Sequence, residues 1–128
     1  MTYTYIKKSP FGFDETLDEL RISFSEIGFG VVSNVAISEK IKAKVDGNFP
    51  KYTTLGFCKP ELAYEYLSED INLGIFMPCS ISVYEKGGEI FISAGLPEIV
   101  IDRVINNDKI SKHSKEISEI MKKVIDSI

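Results

Sequence analysis

Ile75-Phe76-Met77-Pro78-Cys79-Ser80-Ile81-Ser82-Val83-Tyr84-Glu85-Lys86-Gly87-Gly88-Glu89-Ile90-Phe91-Ile92-Ser93-Ala94 is the stretch whose reading decides the fold. Its alternate positions Ile75, Met77, Cys79, Ile81 and Val83 are apolar or cysteine, the period of two that marks a strand with one face in the core. The alternation returns after Lys86-Gly87-Gly88 with Ile90, Ile92 and Ala94. Two such runs around a glycine pair predict a β-hairpin, with strands over residues 75–85 and 89–94.

Upstream of the hairpin, Tyr52 to Cys58 reads as another strand, and Pro60 suits the first position of a helix that runs to about Glu69. Residues 29–36 are apolar and β-branched enough for a strand, after which Ser38 is placed to cap a short helix ending before Asp46-Gly47. Phe13, Leu17, Leu20, Phe24 and Ile27 recur at steps of four and three, which predicts a helix with one apolar stripe and Gly28 as its stop. Asp14 and Glu15 favour its positive N-terminal end. Residues 2–8 alternate as a first strand, with Tyr3 and Tyr5 on one side and Thr4 and Ile6 on the other.

Downstream, Ile99, Val100 and Val104 suggest a short helix. Ile117, Ile120, Val124 and Ile128 give the stripe of a long last helix that Ser111 is placed to cap. Strands mixed with helices around a hairpin predict an α+β fold, an antiparallel sheet covered by helices on one face.

At 128 residues the chain is expected to form a single domain, residues 1–128, with a core large enough to need neither metal nor disulfide. Fifteen basic residues against 19 acidic ones leave a net charge of −4, which argues against nucleic acid as a partner. The N-terminus lacks the basic-then-apolar pattern of a secretory signal, and no run is long and apolar enough to span a membrane. The expected location is the cytoplasm, where Cys58 and Cys79 are free thiols.

His113 is the only histidine, so histidine-based metal sites within one chain are excluded. On a charged helix it reads as a bystander. Glu61, Glu65, Glu69 and Asp70 read as a solvated helix face, and Gly28-Phe29-Gly30 follows a helix instead of opening one, so it is not a dinucleotide loop.

The cysteines remain. Cys58 ends a strand one residue before the helix that Pro60 opens, where unpaired N–H groups stabilise a thiolate. The alternative is a small residue filling a tight corner, and for Cys79 a core position is the default.

Gly28-Phe29, Tyr52 to Gly56 leading into Cys58-Lys59-Pro60, Ala63, and Gly74 with Met77-Pro78-Cys79 before Val83-Tyr84-Glu85 come in a recognisable order and spacing. In these residues the chain resembles, over nearly its whole length, the small bacterial and archaeal domains grouped as domain of unknown function 302. That family more often has asparagine where this chain has Lys59, and asparagine would cap the following helix. The resemblance implies a curved antiparallel sheet with helices on one face, like the TATA-box-binding protein, and a homodimer. It implies no activity, and a shared fold does not imply DNA binding.

Three functions are compatible with these residues. One is a binding module for a small ligand or protein partner, with Tyr52, Tyr84, Lys59, Pro60 and Pro78 lining a pocket and Phe57 and Phe76 nearby. The second is thiol chemistry, Cys58 as nucleophile and Cys79 as its partner, or a soft metal such as copper(I) held by the pair across two subunits. The third is a purely structural interaction domain. No cofactor is indicated.

Overall fold

The computed structural model describes residues 3–45 and 47–128, without the side chain of Val100. In chain order the elements are β1 (Thr4–Lys8), α1 (Phe13–Ser25), β2 (Gly30–Val35), α2 (Ile37–Lys44), β3 (Tyr52–Cys58) and α3 (Pro60–Glu69). A 3-10 turn (Ile71–Phe76) leads to β4 (Cys79–Lys86), β5 (Glu89–Gly95), α4 (Pro97–Asp102) and α5 (Asp108–Asp126). The five strands form one open antiparallel sheet in the order β1-β5-β4-β3-β2. The fold class is therefore α+β.

The period-two pattern works as expected in the hairpin. Gly87 and Gly88 turn it with φ of 61° and 78°, the mirror-image turn that matches strand twist. Ile81 faces Ala94 and Val83 faces Ile92 across it, and Leu55 of β3 faces Ile81. All of these are buried on one face of the sheet, where Leu17, Leu20 and Phe24 of α1 and Ile117, Met121 and Ile125 of α5 meet them in one core cluster. Phe24 is fully buried against Phe57 and Phe29, with ring centroids 4.7 and 5.9 Å away. Each such side chain contributes roughly 1.5–3 kcal/mol by leaving water.

The other face supplies none of the buried hydrophobic residues among those described. Tyr52, Tyr84 and Phe91 stack across it instead, with centroids 5.5 and 5.6 Å apart, beside hydroxyl pairs Thr4–Ser93 and Thr54–Ser82.

Four expectations change. Residues 75–78 are not strand: Asp70 accepts from the Asn72 N–H to seed the 3-10 turn, and Pro78 has no N–H for a ladder. Ile75, expected on the core face, is 81% exposed. The α5 stripe is centred on Ile110, Ile117, Met121 and Ile125, leaving Ile120 exposed and Val124 and Ile128 at the margin. Ser38 and Ser111 are not caps. Ser38 is inside α2, where its buried hydroxyl joins the backbone of Tyr52; Ser111 donates to Asp102 from inside α5. Asn107 caps α5, accepting from the N–H groups of Lys109 and Ile110.

Gly28 does end the turn after α1, at φ 89°, a conformation L side chains rarely adopt. Thr2 of the first-strand reading, Asp46 of the expected turn and the Val100 side chain lie outside the described residues. Among the described residues no helix is long and apolar enough to cross a membrane.

Candidate functional site

Antiparallel pairing brings the end of β3, the start of β4 and the end of β5 to one end of the sheet. There the chain must leave the ladder, and it does so through Lys59-Pro60 into α3 on one side and out of the 3-10 turn through Met77-Pro78 on the other. The Met77-Pro78 peptide bond is cis. Between these exits, the sheet and α3, α4 and α5 lies a half-open cavity of about 270 Å³.

Its walls are apolar: Phe29, Phe57, Leu62, Tyr66, Ile101 and Ile117. Leu62 and Tyr66 are four residues apart on α3, so they stand one above the other on the face turned inward. The Tyr66 hydroxyl is 3.0 Å from that of Ser114, itself fully buried on α5. Burial pushes the Tyr66 phenol up to about 12, against the opposing pull of the Ser114 hydrogen bond. At neutral pH this wall is uncharged.

The rim carries Cys58, Lys59, Pro78 and Cys79. Both cysteines are free and half-buried. Phe57 and Cys79 are cross-strand partners, so Cys58 lies one rung away and leaves the opposite face of the pleat from Cys79. Both border the cavity because it opens at the end of the sheet. Burial pushes the Cys79 thiol up to about 11, and the neighbouring Cys58 adds to the rise, so Cys79 is protonated at neutral pH.

Lys59 precedes the first helical residue of α3, and no side chain caps that helix. Its stem crosses Gly28: a Cβ added there would sit 3.2 Å from Lys59 Cε and 3.7 Å from Nζ. Among the described residues Lys59 has no ion-pair or hydrogen-bond partner for its ammonium. Lys59 is half-buried.

Pro78 is fixed from behind. It packs over Gly56, so close that a Cβ added at Gly56 would collide with the Pro78 ring and the Ser33 hydroxyl. Gly56 and Ser33 are partners across the β2–β3 ladder, beside the register shift between Val31 and Ser33.

Of the residues expected from sequence to form a site, the structure brings Cys58, Lys59, Pro78 and Cys79 together. Pro60 opens α3 beside them but is exposed and off the wall. Tyr52 and Tyr84 are elsewhere, stacked with Phe91 on the helix-free face toward the far end of β3 and β4. Phe57 and Phe76, expected near them, line the cavity instead. Sequence reasoning missed Leu62 and Tyr66, although their spacing marks an inward face on α3. Ile117 was read only as part of the last helix's apolar stripe and Ile101 had no signal; both reach the cavity through tertiary packing.

His113 does not join the cavity. Its Nε2 is 3.5 Å from Glu65 on the outside of the α3–α5 contact, edge-on to the Tyr66 ring. Glu69 pairs with Lys109 at 2.8 Å, and that hydrogen bond lowers its carboxyl below the usual range. Among the described residues no three or more His, Cys, Asp or Glu side chains gather as a metal site.

Residues 5–128 match the protein family described as Domain of unknown function DUF302. Among solved structures, the chain is similar to the crystal structure of an uncharacterized conserved protein DUF302 from Bacillus stearothermophilus. The TM-score is 0.92 at 25% sequence identity, with 98% of each chain covered. No curated protein sequence matches the chain. Neither description names an activity.

Proposed function

From the premise that the chain belongs to the DUF302 family, for which no activity is described, we propose that it is a binding module that holds a small, largely apolar molecule at the end of its sheet. The observation that carries this reading is the cavity, about 270 Å³, with apolar walls and with its lysine and two cysteines at the rim. Sites for small molecules have that build, and this one lies just below the roughly 300–1,000 Å³ that drug-sized ligands occupy. The reading includes a single cytoplasmic domain, paired as a homodimer through the helix-free face with its Tyr52–Tyr84–Phe91 stack, and a sheet of the TATA-box-binding type.

A thermal-shift and NMR screen of the native protein with small apolar molecules tests the binding claim. Ala63, half-buried on the cavity wall, supplies the control, because Ala63→Phe would fill the space. Ligands that shift resonances around Tyr66 in the parent and not in that variant support the reading. A screen in which nothing binds the parent overturns it.

A second reading draws on Cys58 and Cys79 bordering the same space. In it the Cys58 thiolate attacks a small disulfide, forming a mixed disulfide on Cys58 and expelling one thiolate, while Cys79 stays protonated. Mass spectrometry after brief alkylation at neutral pH decides it: labelling of Cys58 no faster than a free small thiol removes the reading.

A further inference from the structure

An apolar cavity with one charged group at its mouth selects by charge as well as by shape. The walls named above carry no carboxylate, and among the described residues no Asp or Glu borders the cavity. The one ionised side chain at the rim is Lys59, half-buried and without a counter-ion among the described residues. Its stem lies across Gly28, with Cε 3.2 Å from where a Cβ at that glycine would stand. It also precedes α3, a ten-residue helix whose first turn has no side-chain cap, and Glu61, the acid in that turn, is exposed and off the wall. A cation beside an apolar space lacks a partner that water supplies poorly there.

We propose that the ligand is a small amphipathic anion, its apolar body among Phe29, Phe57, Leu62 and Tyr66 and its anionic head at the Lys59 ammonium. This inference rests on the cavity being a binding site and adds the class of molecule that it takes. A charge-assisted hydrogen bond holds the head, and the body displaces water from the walls. Multiply charged or wholly polar molecules are excluded, because the walls offer nothing to pair with a second charge.

The test is calorimetric titration of the full chain with straight-chain carboxylates from butanoate to decanoate and the alcohols of equal length, repeated in Lys59→Met and Lys59→Arg. Methionine keeps the stem over Gly28 and removes only the charge. The expected result is that carboxylates bind more tightly than their alcohols by about tenfold or more, the value of one hydrogen bond to a charged group. That preference disappears in Lys59→Met, survives in Lys59→Arg, and shrinks with added salt in the parent and in Lys59→Arg. Alcohols that bind as well as carboxylates overturn the anion class and leave the apolar site standing. Failure of both series to bind removes the inference together with the site.

Discussion

Gly56→Ala is the change by which the backbone behind the site is best probed. The added methyl has nowhere to go: on one side it meets the Ser33 hydroxyl, which can rotate, and on the other the Pro78 ring, which cannot. Gly56 is itself buried, so the collision is not relieved into solvent. Overpacking of this kind costs roughly 1–3 kcal/mol, which for a domain of this size lowers Tm by about 3–12 °C. Part of any effect of a Gly→Ala change comes from the unfolded chain, so Gly30→Ala serves as reference. Gly30 is exposed on the neighbouring strand and would gain a Cβ with nothing within 4 Å. Differential scanning calorimetry of the two variants should place Gly56→Ala clearly below the parent and Gly30→Ala at or slightly above it. Because Pro78 adjoins Cys79 on the cavity rim, the same substitution should also change the alkylation rate of Cys79. Two variants that melt within a degree of each other, with Cys79 unaltered, would refute the argument that Gly56 holds the rim in place.

Folding keeps Cys79 protonated up to about 11 against an ordinary value of 9.0. The stability this contributes is whole below about pH 9 and is lost as pH rises toward 11. In denaturant titrations the stability gap between the parent and Cys79→Ala should therefore narrow by about 2 kcal/mol from pH 8 to pH 11, and a constant gap would count against a buried thiol. Asn107→Ala should cost about 1 kcal/mol by removing the α5 cap, while Ser111→Ala should not reproduce a cap loss; urea midpoints separate the two. Met121→Ala, at a fully buried position, should cost roughly 2–5 kcal/mol in the same assay. Tyr84→Lys puts a charge into the ring stack of the helix-free face; on the proposed pairing through that face, sedimentation should give a dimer for the parent and a monomer for the variant, and a monomeric parent or an unchanged dimer would overturn that pairing.

The parts of this fold that repeat a local rule were legible in the sequence. The reading of Tyr52 to Cys58 as a strand matches the bounds of β3, alternation gave β5 to within a residue, and Pro60 marked the first turn of α3 because a missing N–H is harmless there. Where two local rules compete, the sequence misled. Apolar alternation runs back from Cys79 through Met77 to Ile75, but Asp70 capping Asn72 and the prolyl nitrogen of Pro78 claim that stretch for a turn. Ser111 has the right chemistry for a cap, and so does Asn107; only packing of Ile110 into the core decides which one stands at the helix start. The rim of the site was foreseeable because Cys58, Lys59 and Pro78 sit at the visible ends of elements. Tyr52 and Tyr84 lie away from the candidate cavity: alternation says which residues share a face, not which end of the strand a cavity occupies.

The strand order β1-β5-β4-β3-β2 makes β2, β3 and β4 neighbours of their successors in the chain and leaves β1 as the exception. Thr4 pairs with Gly95, and Lys7 Nζ donates to the carbonyls of Ile125, Asp126 and Ile128, beyond the last strand. Such contacts carry the largest loop-closure cost in the molecule. Assembly should accordingly run from the glycine-turned hairpin outward, with β1 adding its edge only once α5 is docked, and unfolding should retrace that order. The first strand then exchanges its amide hydrogens through an opening smaller than global unfolding, while β4, paired on both sides, exchanges only when everything else has come apart.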